Sequence, residues 1–110
     1  MLTYLASPYS HESAAVRSKR FIEACIFASK LMRKGVMVFS PIAHTHPIAK
    51  YGELPKGLDF WEKYDREIIS HCGCLIVLKL QGWEESKGVS AEIAIAKELG
   101  IEVKYMEPYE

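Results

Sequence analysis

The chain is predicted to fold as one α/β domain with a short parallel sheet, and three observations predict it. Short apolar runs alternate with longer stretches of helical period, and prolines and glycines punctuate the boundaries between them. The length, 110 residues, is that of one domain, because two cores of half that size could not hold themselves together.

The first strand is expected at Leu2–Ala6, an apolar run ended by Ser7-Pro8, where proline cannot continue a central strand. Residues 13–35 contain few helix breakers, and Phe21, Ala24, Cys25, Ala28, Leu31 and Met32 recur at helical spacing. Gly35 suits the left-handed position that closes such a helix. Val36-Met37-Val38-Phe39 is a second, buried-type strand before Ser40-Pro41. Residues 40–57 hold three prolines, two glycines and two histidines without a sustained period, and are expected to form a long functional loop.

Leu58–Ser70 reads as a helix, and Cys74-Leu75-Ile76-Val77-Leu78 as a parallel strand covered on both faces. Residues 79–88 connect it to a helix that runs to Leu99 and is terminated by Gly100, and a last strand is expected near Glu102–Met106. The expected order is β-α-β-α-β-α-β. Right-handed crossovers then place helices on both faces of the sheet, with strand order 2-1-3-4. The result is a Rossmann-like or flavodoxin-like three-layer sandwich of four or five strands, filling residues 1–110 as a single domain. In such sheets ligands bind beyond the carboxyl ends of the strands, where the order reverses. That gathers residues 4–9, the histidine loop and residues 83–88 around one crevice.

Composition excludes several classes of function. Hydrophobic residues make up 49% and charged residues 25%, as in an ordinary globular protein. Lys and Arg total 14 and Asp and Glu total 14, so no global field draws nucleic acid or an anionic membrane, and a bound phosphate must be held locally. No apolar run approaches the roughly 20 residues of a membrane span. Met1-Leu2-Thr3-Tyr4 leads into a strand without a basic stretch and cleavage site, and a cytoplasmic location is expected. Cys25, Cys72 and Cys74 are an odd number, which favours reduced, buried thiols over a disulfide framework or a zinc site.

Glu92 draws attention first. Its helix is expected to present Val89, Ile93, Ala96 and Leu99 to the sheet, and Glu92 borders that stripe. A carboxylate there is either a solvated flank or a nucleophile or base held at the strand ends. Gly82-Trp83-Glu84-Glu85-Ser86-Lys87-Gly88-Val89 sets Ser86 and Gly88 at the start of that helix, where free backbone N–H groups make a small anion site; Ser86 fits a plain N-cap as well. Asp65, with Glu62 and Trp61 at helical spacing, is also explained by an exposed acidic face. Tyr4 alternates with Leu5 and suits the core. His44 and His46 form an H-x-H pair with no third ligand in evidence, so substrate contact is preferred to metal and ordinary loop chemistry to both.

Taken in order, Tyr4-Leu5-Ala6-Ser7-Pro8, Asp65 on a helix before a strand, and Ser86-x-Gly88-Val89-x-x-Glu92 resemble the nucleoside 2-deoxyribosyltransferase superfamily. That group includes the 2′-deoxynucleoside 5′-monophosphate N-glycosidases. The similarity is greatest to a bacterial and phage branch (DUF1937-like) that shares the Tyr4-to-His11 opening, the S-P-I-x-H segment and the G-W-x-x-S-x-G-V segment, and it covers nearly the whole chain. By this resemblance Glu92 occupies the nucleophile position, Tyr4 the position whose hydroxyl orients that carboxylate, and Asp65 that of the acid facing the leaving base. Ser86 falls where transferases carry a carboxylate for the sugar 5′-hydroxyl and monophosphate hydrolases carry serine for the phosphate. Serine thus favours a nucleotide, since a carboxylate would repel phosphate. The turn after the first strand departs from the family, with Ser7-Pro8 in place of a glycine-containing turn.

The resemblance implies an N-glycosidase or deoxyribosyltransferase acting on a nucleotide or nucleoside, working as a homo-oligomer without metal or cofactor. Expected ligand contacts are Ser86, Gly88, Ser7, His44, His46 and Trp83. The alternative is a non-catalytic module that binds a nucleotide or nucleotide-derived signal in the same crevice. Trp61, Phe60, Tyr64 and Tyr51 present more aromatic surface than one small core readily covers, which fits a subunit interface.

Overall fold

A computed structural model describes residues 1–55 and 57–110. Its elements are β1 (Leu2–Ala6), α1 (Ala14–Arg33), β2 (Val38–Phe39), α2 (Pro41–Gly52), α3 (Leu58–Ser70), β3 (Cys72–Leu78), α4 (Lys87–Glu98) and β4 (Glu102–Met106). All strand pairs are parallel, in the order β2-β1-β3-β4. The architecture is therefore the three-layer α/β sandwich that the alternating pattern implies.

Alternation along the strands divides the core in two. Tyr4, Ala6, Leu75 and Val77 point to one face and pack with Ile69 of α3 and with Val89, Ile95 and Ala96 of α4. Leu5, Ile76 and Leu78 point to the other and pack with Phe27, Ala28 and Leu31 of α1. The central β3 is thus buried on both sides, which is why it reads as an unbroken apolar run. Each fully buried leucine of this set contributes about 2 kcal/mol relative to exposure. Cys72 is buried and belongs to the first cluster, whereas Cys74 is half-buried against the second, so the two thiols face opposite sides of the sheet. Cys25 is half-buried on α1.

Helix ends follow their local chemistry. Ser13 caps α1 by accepting from Val16 N–H, and Gly35 (φ +86°) and Gly100 (φ +72°) take the left-handed turns that follow α1 and α4. Among the described residues no helix is long and apolar enough to cross a membrane.

Several expectations need correction. Most of the loop expected over residues 40–57 is the helix α2, so the element order is β-α-β-α-α-β-α-β. Ser40 caps this helix by accepting from Ala43 N–H at 3.2 Å, and Pro41 sits in its first turn, where a missing N–H costs nothing. Pro47 lies inside the helix and masks its period, but it removes only one rung, and the Thr45 hydroxyl donates to the Pro41 carbonyl at 2.7 Å. The second strand is two residues long rather than four, and the third starts two residues earlier than its apolar run, at Cys72. On α4 the buried face is Val89, Glu92, Ile95 and Ala96; Leu99 is 42% exposed, and Ile93 only flanks the core. The helical rotation places Glu92 inside the apolar stripe instead of beside it.

Candidate active site

The chain leaves β1 toward β2 on one side and later returns through β3 on the other, so the order reverses at β1. The segment that follows β1, the starts of α1 and α4 and the flanks of α2 and α3 line a cavity of about 1160 Å³ there.

Glu92 lies in its wall, although the residue is only 6% exposed. Behind it stands Tyr4, fully buried, whose hydroxyl donates to Glu92 Oε2 at 2.5 Å. The two residues are 88 apart in sequence, and the contact exists because β1 and α4 share one face of the sheet. Asp65, half-buried on α3, lines the same cavity and completes a cluster of two carboxyls and a phenol.

Burial dominates the electrostatics of this cluster. It pushes the Glu92 carboxyl from an ordinary 4.5 up to about 8, with the neighbouring charge of Asp65 adding to the rise and the Tyr4 hydrogen bond opposing it. Burial likewise raises Asp65 to about 6, again opposed by Tyr4. The phenol is driven far upward by burial and by the two acids, so it stays a hydrogen-bond donor. Near neutral pH the two carboxyls together hold about one proton. A protonated acid beside an ionisable carboxylate is the arrangement that general acid and nucleophilic roles require.

The amino end of α4 forms a second part of the wall. The Ser86 oxygen accepts from Val89 N–H at 3.1 Å, so its own hydroxyl hydrogen remains free to donate. Ser90 N–H returns to the Ser86 carbonyl at 3.0 Å, which leaves the first-turn amides of Lys87 and Gly88 without a partner among the described residues. At the end of β1, Ser7 also lines the cavity, and its buried hydroxyl oxygen has no hydrogen-bond partner among the described residues. A buried polar atom of this kind calls for a ligand or water.

Of the residues singled out from the sequence, Glu92, Asp65, Ser86, Gly88, Ser7 and His46 line this one cavity, and Tyr4 backs it. His44 and Trp83 are not among the lining residues. His44 is exposed on α2 beside Phe39, with ring centroids 5.6 Å apart. Trp83 packs against the core and against Tyr105, with ring centroids 5.6 Å apart, and its backbone N–H donates to the Leu80 carbonyl. Tyr9 and Lys50, which fall in segments expected at the crevice without being singled out, and Arg17, which lies outside those segments, also line the cavity. The one available signal for Arg17 was its position in the first turn of the helix that follows β1.

Set against the curated proteins, the chain matches none. The family model described as a domain of unknown function, DUF1937, matches residues 1–108, and with nearly the whole chain covered the protein belongs to that family.

Proposed function

We propose that the protein cleaves the N-glycosidic bond of a nucleoside 5′-monophosphate or nucleoside, as an N-glycosidase or deoxyribosyltransferase related to the nucleoside 2-deoxyribosyltransferase superfamily. The observation that carries this reading is the 2.5 Å hydrogen bond from Tyr4 to a Glu92 carboxylate buried in the cavity wall, with Asp65 beside it. Cleavage passes through an oxocarbenium-like state that a nearby carboxylate stabilises. In the first step a Glu92 oxygen bonds to C1′ as the C1′–N bond breaks, and its electron pair leaves with the base. The reactive form of the singly protonated pair is the less populated one, with Glu92 ionised and the proton on Asp65, and Asp65 supplies that proton to the base nitrogen. Water, or the hydroxyl or base of an acceptor, then attacks C1′, releases Glu92 and returns a proton to Asp65. Tyr4 is the positioning group, holding the carboxylate toward C1′.

Ser7, Ser86 and the free amides of Lys87 and Gly88 supply donors for a phosphate at a helix N-terminus. The experiment is to incubate the protein with a panel of nucleosides and 5′-monophosphates and look for free base by chromatography. No release from any of them would overturn the reading. The non-catalytic alternative draws on one feature: a Glu92 protonated up to about 8 is itself a donor to a ligand. Binding without base release would favour it.

Activity should depend on the singly protonated pair. The pH profile of kcat/KM is expected to be a bell with limbs near 6 and 8, and Asp65→Asn should distort it. A flat profile across that window would remove the pair from the chemistry.

Ser86→Asp is expected to weaken 5′-monophosphates about tenfold or more while changing the matching nucleosides little, because it puts a negative charge at the phosphate seat. Calorimetry on both ligands decides it; equal losses would reduce Ser86 to a cap.

The assembly that the resemblance implies has a matching surface. Of the four aromatics expected there, Phe60 (46% exposed), Tyr64 (41%) and Tyr51 (81%) are exposed on α3 and α2, whereas Trp61 is half-buried in the cavity wall with Phe60 and Tyr64 packed edge-on against it. Light scattering at micromolar concentration is expected to report a dimer or larger assembly, and a fully active monomer would contradict it.

A further inference from the structure

The cavity is larger than a nucleoside monophosphate needs. Its roughly 1160 Å³ exceeds the 300–1,000 Å³ of ordinary small-molecule sites, and its wall carries Arg17 and Lys50 as well as Glu92 and Asp65. Burial raises both carboxyls, Asp65 adds to the rise of Glu92, and the Tyr4 hydrogen bond opposes it in each. Elsewhere on the wall, Arg17 acts on Tyr9 and His46, and Lys50 acts on His46. These four residues form a second cluster where the start of α1 meets α2.

The cluster is built rather than incidental. Tyr9 Oη and His46 Nδ1 hydrogen-bond at 2.5 Å, and Phe21 stacks on the imidazole with centroids 4.3 Å apart. Arg17 Nη1 donates to the His11 carbonyl, which leaves most of its five N–H donors free. Among the described residues neither Arg17 nor Lys50 has a carboxylate oxygen within 4.0 Å, although Glu12, Glu53 and Glu85 also line the cavity. Burial and the two cations hold His46 below its usual range. An anion arriving at the cluster takes charge-assisted hydrogen bonds from Arg17 and Lys50 and offsets the positive field that keeps His46 neutral.

We propose that Arg17, Lys50, Tyr9 and His46 seat an anionic group of the ligand other than the sugar 5′-phosphate. The ligand is then a nucleotide with two separated anionic groups, a phosphate-linked extension or a carboxylate on the base. This rests on the nucleotide reading of the same cavity.

Inorganic pyrophosphate is the first probe. Titrated into the full chain, it is expected to bind by calorimetry, to move the His46 ring resonances in NMR spectra, and to bind at least tenfold more weakly to Arg17→Gln/Lys50→Gln. Absent binding, unmoved His46 resonances, or equal affinity in the double variant would overturn the seat. Competition then identifies the source. Displacement by a diphosphate-bridged dinucleotide alone assigns a phosphate, displacement by a nucleotide with a carboxylated base alone assigns a carboxylate, and displacement by neither overturns the ligand class. Base release from monophosphates without a pyrophosphate effect would remove this seat and leave the glycosidase reading standing. A pyrophosphate effect without base release would do the reverse.

Discussion

Glu92→Gln is expected to lower base release from the best substrate by three orders of magnitude or more, roughly 4 kcal/mol of transition-state stabilisation, while ligand binding and fold persist. Glutamine has the same shape, and its amide oxygen can still accept the hydrogen bond that Tyr4 gives Glu92 Oε2. What it lacks is a carboxylate to bond to C1′. Glu92→Ala should be equally inactive but less stable, because it leaves the buried Tyr4 hydroxyl unpartnered, a loss of about 1–3 kcal/mol. Chromatographic rates, circular dichroism and calorimetry on the two variants check this. A wild-type rate in Glu92→Gln would sink the nucleophile assignment, and unfolding of both variants would return Glu92 to a structural role.

The second large effect is on stability, and it has the opposite sign. At pH 8–9 Glu92→Gln is expected to be more stable than the wild type by on the order of 3–5 kcal/mol, whereas at pH 5 the two should nearly coincide. The folded protein holds the Glu92 proton up to about 8, whereas the unfolded chain releases it near 4.5. The unfolded state therefore binds fewer protons across that window, and the wild type loses stability as pH rises through it. Asp65, raised from 3.8 to about 6, acts in the same direction over a lower range in both proteins. Glutamine does not titrate, so the difference between the proteins isolates Glu92. Urea unfolding at pH 5, 7 and 9 measures it. A difference that stays constant with pH would mean that Glu92 ionises as an ordinary surface acid.

Raised carboxyl pKa values and catalysis share one cause in this reading. Burying Glu92 in the apolar face of α4 costs stability at neutral pH, and in the proposed function that cost accompanies its use as the nucleophile.

Local pattern was sufficient for much of this molecule. The runs at Leu2–Ala6 and Glu102–Met106 and the helix Leu58–Ser70 are read correctly because strand and helix periods are properties of neighbouring residues. The order β2-β1-β3-β4 is the expected one, and with right-handed crossovers its reversal at β1 puts helices on both faces. The pattern failed at α2, where Pro41 and Pro47 look like breakers; only the Ser40 cap and packing against α1, with His46 stacked on Phe21, make a helix there. It also left Glu92 at the edge of an apolar stripe, because sequence spacing does not tell which way a helix is rotated on its sheet. Residue types and their order brought Tyr4, Asp65, Ser86 and Glu92 into view. Their convergence on one cavity, the exclusion of His44 and Trp83, the unpartnered Ser7 hydroxyl and the Arg17–Lys50–His46 cluster were decided by tertiary packing, since each rests on contacts between segments that only the folded sheet brings together.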